Sequence, residues 1–306
     1  MVEMIRKGLD QPLYQEGEFK GPFPAGDPGI LVNAAVRLGV KGGYAGVVGN
    51  DDFGRCFLDC MRRNGVDTTW VRTDQLRSTG MSLVANFSDG SRRFLFTLPS
   101  SAAAGLGLSD FHPELLNEIR WLHVSGFALS VSSSIAELHK KIMEYIPQNT
   151  IVSFDPNYRS DIIEKGEYLA RCKSVFERAD IFLPSRGEAS LFTEGSEDEN
   201  VTCEMLAANG KTVVLKDGGK GAWGFWGREK CFVPAFPAEE TDPTGAGDTF
   251  GGALAAALIQ GKDLKEAIRC GCAAGAVAVK RIGLMDIAPT SQEIQRVLES
   301  GKVDFS

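Results

Sequence analysis

Residues 241–259 read TDPTGAGDTFGGALAAALI. Pro243, Gly245 and Gly247 prevent a regular element before Gly247, whereas the chain from Asp248 onward is Ala-rich with helical spacing. A glycine turn that runs straight into a helix aims unpaired N–H groups and the positive end of the helix dipole at one point, which suits an anion. Gly245 and Gly247 let the backbone approach a phosphate closely. Asp248 falls in the first helical turn and points into the same space. A carboxylate beside an anion hole fits phosphoryl transfer. The turn steadies charge on the transferred oxygens, and the carboxylate takes the proton of an attacking hydroxyl, late because the transition state is loose. A cap alone explains an isolated Gly-Asp at a helix start. The full string, with a second acid at Asp242 and a small-residue helix behind it, favours chemistry over capping.

Elements that could position such a turn are legible along the chain. AAVRLGV (34–40) reads as the end of a helix, GYAGVVG (43–49) as a buried strand, and FGRCFLDCMRRNGV (53–66) as an amphipathic helix stopping at Gly65. WLHVSGF (121–127), TIVSFDPN (150–157), ADIFLPS (179–185) and KTVVLKDG (211–218) read as short strands buried on both faces, separated by helices such as 133–146 and 165–179. Strands alternating with helices imply right-handed βαβ units and a parallel sheet covered on both sides. Residues 78–98 break the rhythm: two half-exposed strands joined by a turn at Ser88-Asp89-Gly90. With residues 1–20 they predict a small β appendage over one end of the sheet. SEDEN (196–200) reads as a solvated acidic loop.

Composition narrows the classes. The 306 residues are 43% hydrophobic and 24% charged, an ordinary globular balance with length for a large core. A net charge of −7 and the lack of a basic run argue against nucleic acid as a partner. No apolar run approaches the roughly 20 residues of a membrane span, and the first 19 residues carry no apolar signal core. The seven cysteines are scattered away from zinc spacing and there are three histidines, so reduced thiols in a cytoplasmic protein are expected. Residues 219–224, GKGAWG, match a dinucleotide fingerprint, but AWGFWG continues as a strand instead of opening a helix, which disfavours a dehydrogenase. A Walker-type GxxxxGK[ST] loop is absent.

TDPTGAGDTF, AGDPGILVNAAVRLG (25–39), VGNDDFG (48–54), DPNYR (155–159) and KDGGKGA (216–222) together resemble the ribokinase-like sugar kinases, also called the phosphofructokinase-B family. The resemblance runs through most of the chain. It implies one kinase domain over residues 1–306: a three-layer αβα fold with a central, mostly parallel sheet, plus a small antiparallel β lid from about 1–20 and 78–98. It also implies ATP and Mg2+ as cofactors. A lid of exposed β strands presents edges and apolar faces that need cover, so a homodimer through the lids is expected. Asp248 would be the base, with Gly245, Ala246 and Gly247 as anion hole. Gly26 and Asp27 would contact sugar hydroxyls, with Asn157 and Arg159 near substrate and phosphates. Ser185, Glu188, Lys216, Gly218 and Gly221 would border the nucleotide, Glu188 facing magnesium through water, and Cys272 would lie in the segment beside the adenine. Asp242 and Thr244 match a loop that holds a monovalent cation such as K+ in some relatives.

Departures from the family pattern gather on the sugar side. Ile30 stands where a hydroxyl-binding Asn is usual, with Asn33 a helical turn away. The N-terminal sugar contact is either missing or supplied by Glu3. Ser185 replaces the Asn of an Asn-x-x-Glu motif. Thr97 and Leu98 stand where relatives taking 2-keto-3-deoxygluconate carry Tyr and Arg. Arg92 and Arg93 read equally as a solvated lid edge and as functional residues. The expected reaction is transfer from Mg-ATP to a terminal hydroxyl of a neutral sugar, with a ketohexose the expected acceptor. A 2-keto-3-deoxygluconate kinase, a nucleoside kinase, and a catalytically weak sugar- or nucleotide-binding protein are the alternatives.

Overall fold

A computed structural model describes residues 1–193 and 196–304. In chain order, β1 (Val2–Arg6) and β2 (Phe19–Pro24) lead into α1 (Asp27–Arg37). Then come β3 (Gly46–Gly49), α2 (Asp52–Arg63), β4 (Val71–Asp74), β5 (Met81–Asn86) and β6 (Arg92–Phe96). α3 (Pro113–Leu116), β7 (Trp121–Ser125), α4 (Gly126–Val131), α5 (Ser133–Tyr145), β8 (Ile151–Asp155) and α6 (Lys165–Arg178) follow. β9 (Ile181–Phe182), α7 (Glu199–Ala208), β10 (Thr212–Lys216), β11 (Gly221–Trp226), β12 (Glu229–Pro234), α8 (Ala246–Ile259), α9 (Leu264–Ala278) and α10 (Ser291–Ser300) complete it.

Six strands form the main sheet in the order β12-β11-β10-β9-β8-β7. β7 to β10 run parallel, and β11 and β12 join antiparallel at one edge. Alternation along β10 shows the two covered faces. Val213 and Leu215 pack with residues of α4 to α7, while Val214 packs with Phe250, Leu254 and Ala267 of α8 and α9. This is the expected α/β, three-layer αβα architecture. β3 and β4 pair as a separate parallel ribbon.

The lid is a four-stranded sheet in the order β2-β1-β5-β6. The β5–β6 hairpin turns at Gly90, whose φ of 80° suits glycine, and both outer pairings are antiparallel. β1 and β5 pair in parallel, so the lid is mixed. It also extends to Pro24, past the expected residue 20.

Helix limits follow local signals. The Asp51 side chain accepts from Gly54 N at 2.8 Å to start α2, and Gly65, at φ 84°, follows its end. α8 is different: Thr249 to Ala257 are all buried, so this helix has no solvated face. Its small residues admit close neighbours. A Cβ on Gly252 would stand 2.3 Å from Leu31 O of α1. The starts of α1 and α8 are thereby brought together.

Two expected elements differ. Residues 179–185 give only the two-residue strand β9, because Pro184 follows and the chain leaves the sheet. The acidic stretch 196–200 is a solvated loop only over its first three residues: Asp198 caps α7, and Glu199, the helix's first residue, is 9% exposed.

Candidate active site

Gly245 precedes α8 at φ 74°, a left-handed conformation that glycine adopts without strain. Asp242 braces the turn from within. It is buried, and its Oδ1 accepts from Thr244 N at 3.0 Å and Thr244 Oγ1 at 2.7 Å. Thr241 N and Asp242 N both bond Val279 O, tying the turn to the end of α9. At the start of α8 the N–H groups of Gly247 and Asp248 have no carbonyl one turn back to bond. Asp248 lies in the same first turn.

The parallel strands deliver their carboxyl ends to this point, where ligands of open α/β sheets gather. β7 ends at Ser125, β8 at Asp155 and β10 at Lys216. Asp27 opens α1, and its Oδ2 accepts from Ser125 Oγ at 2.7 Å and Asn157 Nδ2 at 2.7 Å. Asn157 holds φ 39°, a backbone state that asparagine tolerates better than most residues. A cavity of about 60 Å³ joins these groups: Glu3, Asp27, Asn157, Arg159 and Asp248 supply its polar wall. Ile30, Phe94, Phe96, Phe127 and Leu284 supply its apolar wall, and Gly26, Thr244 and Gly245 its rim.

Burial and crowding of carboxylates set the electrostatics. Burial, then Asp27 and Asp155, hold Asp248 well above the ordinary carboxylate range, while Lys216 and Arg159 pull it back. Asp27 is raised by burial, against the hydrogen bond from Ser125. Burial also raises Glu3 to about 7; its Oε2 accepts from Ser82 Oγ at 2.9 Å, and its Oε1 is buried without a partner. Burial works to lower Lys216, but Asp155 and Glu188 outweigh it and hold the ammonium above its ordinary value. Lys216 Nζ pairs with Asp155 Oδ2, and Asp155 Oδ1 is buried without a partner.

A raised carboxylate beside a glycine turn, opening on a small polar and apolar cavity, is compatible with phosphoryl transfer. The family model described as pfkB family carbohydrate kinase matches residues 22–291. The chain belongs to that family. It is 30% identical over 288 residues to fructokinase-1 of Oryza sativa subsp. japonica, covering 90% of this chain and 88% of the relative. An E. coli protein assigned as a ribokinase II superposes in its apo form with a TM-score of 0.92 at 33% identity, over 98% of this chain and 96% of that one. Its complex with ATP and Mg2+ gives 0.91 at 32% identity, with the same coverage.

The other expected residues of this carbohydrate kinase lie on neighbouring strand ends, loops and helices. Glu188 accepts from Ser185 N at 2.7 Å and Tyr158 N at 3.0 Å, which fixes both its oxygens. Burial, then Asp155, raises it. Gly218 and Gly221 form the turn between β10 and β11, with φ of 54° and 126°. A Cβ on Gly221 would lie 2.1 Å from Val233 O. Cys272 is buried on α9 with its Sγ 3.9 Å from Val233 O, so it packs behind the β11–β12 edge. Asn33 is buried away from the cavity: its Nδ2 donates to Met285 O at 2.6 Å and its Oδ1 accepts from Asn64 Nδ2 at 2.8 Å. It does not stand in for the missing Asn at Ile30.

Four contributing residues escaped the sequence reading. Ser125 orients Asp27; its only signal was its place at a strand end. Glu199 accepts from Gly187 N at 2.9 and 2.7 Å and Ala189 N at 2.9 Å, which shapes the loop carrying Glu188. Phe94 and Phe96 stack at 5.5 Å and bring the lid's apolar face over the cavity. The two lid arginines also separate: Arg92 Nη1 donates to Thr244 Oγ1 at 3.0 Å, whereas Arg93 is exposed over Phe87.

Proposed function

We propose that this carbohydrate kinase transfers the γ-phosphate of ATP to a hydroxyl of a neutral ketohexose, with fructose the first acceptor to test. The observation that carries the reading is Asp248. It sits between the glycine turn and the cavity, so one carboxylate faces both the entering phosphoryl group and the attacking hydroxyl. The similarity to a fructokinase supports the acceptor class, and the ATP and Mg2+ complex of the E. coli relative supports the donor.

Asp27, Asn157 and the free Oε1 of Glu3 accept and donate hydrogen bonds to sugar hydroxyls, while Phe94, Phe96 and Ile30 cover the carbon skeleton. The N–H groups of Gly247 and Asp248 hold the transferred oxygens. The Asp248 carboxylate accepts the hydroxyl proton as the new O–P bond forms and the bond to ADP breaks. Among the described residues no group of three or more His, Cys, Asp or Glu could hold a metal ion. Both Glu188 oxygens are tied to the backbone, and the free acceptor beside them is Asp155 Oδ1. Magnesium arriving with ATP would therefore meet Asp155 and Glu188 through water, and its charge would offset that of the phosphates.

Incubation with ATP, Mg2+ and a sugar panel that includes fructose and 2-keto-3-deoxygluconate tests the reading. Fructose-dependent ADP formation is expected, reduced about 10³-fold or more in Asp248→Asn. ATP or sugar binding without turnover would sink it. Turnover of the keto acid alone would move the acceptor to a sugar acid, held by Arg159 on the cavity wall.

Three accompanying proposals concern surroundings. A monovalent cation beside Asp242 and Thr244 predicts faster turnover in potassium than in sodium chloride; equal rates would remove it. A homodimer through the lid would cover its edge strand β6, where Leu95 is exposed; a monomer in sedimentation at micromolar concentration would count against it. Free cysteines and the lack of any helix long and apolar enough to cross a membrane, among the described residues, support a cytoplasmic location; fractionation checks it.

A further inference from the structure

We propose that Lys216 is a catalytic cation: its ammonium, clamped by Asp155 against the glycine turn, contacts the phosphoryl group as it passes from ATP to the acceptor. This rests on the kinase reading above and goes beyond a lysine bordering the nucleotide.

Lys216 ends β10 and Asp155 ends β8, with the two-residue β9 between them. Their side chains meet across that gap, and both are almost fully removed from solvent, at 11% and 4% exposure. The ammonium also reaches the turn: a Cβ on Gly247 would lie 3.7 Å from Nζ. An oxygen held by the Gly247 N–H is therefore within reach of the lysine.

A purely structural ion pair would satisfy its own atoms, and this one does not. An ammonium carries three donors, yet among the described residues Nζ donates to Asp155 Oδ2 alone. Asp155 Oδ1 is buried and unpartnered. The remaining donors and this acceptor are thus left for a ligand at the turn. Charge balance points the same way. Asp155, Glu188 and Asp248 all act on Lys216, and the other cation acting on Asp248 is Arg159. Triphosphate brought beside three carboxylates needs a fixed positive charge, and one that is already positioned does not have to reorganise during transfer.

The test compares Lys216→Met, Lys216→Arg and the charge-balanced double variant Lys216→Met with Asp155→Asn, using full-length protein. The double variant guards against misfolding caused by an uncompensated buried carboxylate. Expected results are a kcat lower by about 10²–10³-fold in Lys216→Met and in the double variant, with KM for sugar changed less than about threefold. Lys216→Arg should recover part of the loss. ADP affinity should tighten on adding aluminium fluoride in wild type and not in Lys216→Met, a readout that a structural role would not move. A double variant that folds and keeps kcat within about threefold of wild type overturns the inference while leaving the kinase reading intact. A wild type without sugar-dependent ATP consumption would instead fail the kinase reading itself.

Discussion

The two halves of the proposed site are built by different means. On the phosphate side, one continuous turn, residues 241–249, works with three neighbouring strand ends and a loop pinned by Glu188 and Glu199. Its donors are backbone N–H groups and fixed charges. On the sugar side, β1, the β5–β6 hairpin and α1 converge from distant parts of the chain, and the wall is half aromatic and aliphatic. Glu3 reaches Ser82 across 79 residues, and Arg92 reaches Thr244 across 152. The difference follows from the tasks. Charge moving in a transition state requires preorganised dipoles, whereas an acceptor is chosen by shape and a few hydrogen bonds.

Breaking the phosphate side alone should give the largest effect. Glu199→Ala leaves the Gly187 and Ala189 N–H groups without their acceptor and removes a carboxylate 3.8 Å from Arg186. Chemical denaturation should show a loss of about 3 kcal/mol, since the buried Ala189 donor left unsatisfied costs about 1–3 kcal/mol and the exposed Gly187 N–H can turn to water. Glu199→Gln retains one acceptor oxygen and should lose about half as much. In the same variants KM for ATP should rise while KM for sugar holds. Equal changes in both would mean that the two sides are not separable.

This asymmetry also explains what could be read from sequence. The turn, the helices 133–145 and 165–178 and the hairpin 81–96 carry their signals locally, in glycine placement, periodicity and alternation. So Asp248 could be placed at an anion-binding turn from its local string, whereas Lys216 was expected at the site only from the family resemblance. The parallel pairing of β1 with β5 has no local signature, because register across the lid is set by what each face buries. Glu199 lay inside an acidic string, and composition marks such strings as solvated; only its contact with residues 187–189 makes it a buried acceptor. Arg92 and Arg93 are adjacent and alike, and the pleat of β6 sends them to opposite faces.

Glu3 sharpens the comparison on the sugar side. Its folded pKa of about 7 stands above the ordinary 4.5. Folding therefore favours the protonated form. The stabilisation is complete below about pH 4.5 and is lost as pH rises through 7. A difference of 2.5 units corresponds to roughly 3 kcal/mol. Glu3→Gln should thus be more stable than wild type by up to about 3 kcal/mol at pH 8 and equal to it near pH 4, by thermal unfolding across that range. The same variant should bind sugar less tightly above pH 7, where it lacks a carboxylate acceptor, and leave ATP affinity unchanged. A stability difference that does not change with pH would remove the ionisation argument.

The smallest effect tests the one direct link between the halves. Arg92 Nη1 joins lid strand β6 to Thr244 of the glycine turn at 3.0 Å, and its guanidinium lies 5.6 Å from the centre of the Phe94 ring. Arg159, on the cavity wall, lies 5.2 Å from the same ring. Phe94 thus connects a lid cation with a sheet-domain cation, and removing Arg92 loosens the lid without touching Asp248. A hydrogen bond to a charged group contributes about 1.5 kcal/mol, so Arg92→Ala should raise KM for sugar about tenfold and alter kcat little. Arg93→Ala, which removes a solvent-facing neighbour, should leave both constants within about twofold of wild type. The pair forms an internal control, because net charge falls equally in both variants. If the two variants behave alike, the lid contributes only bulk charge, and the sugar side closes independently of the phosphate side. If Arg92→Ala alone raises KM, acceptor binding depends on a contact that the lid makes with the phosphate-binding turn.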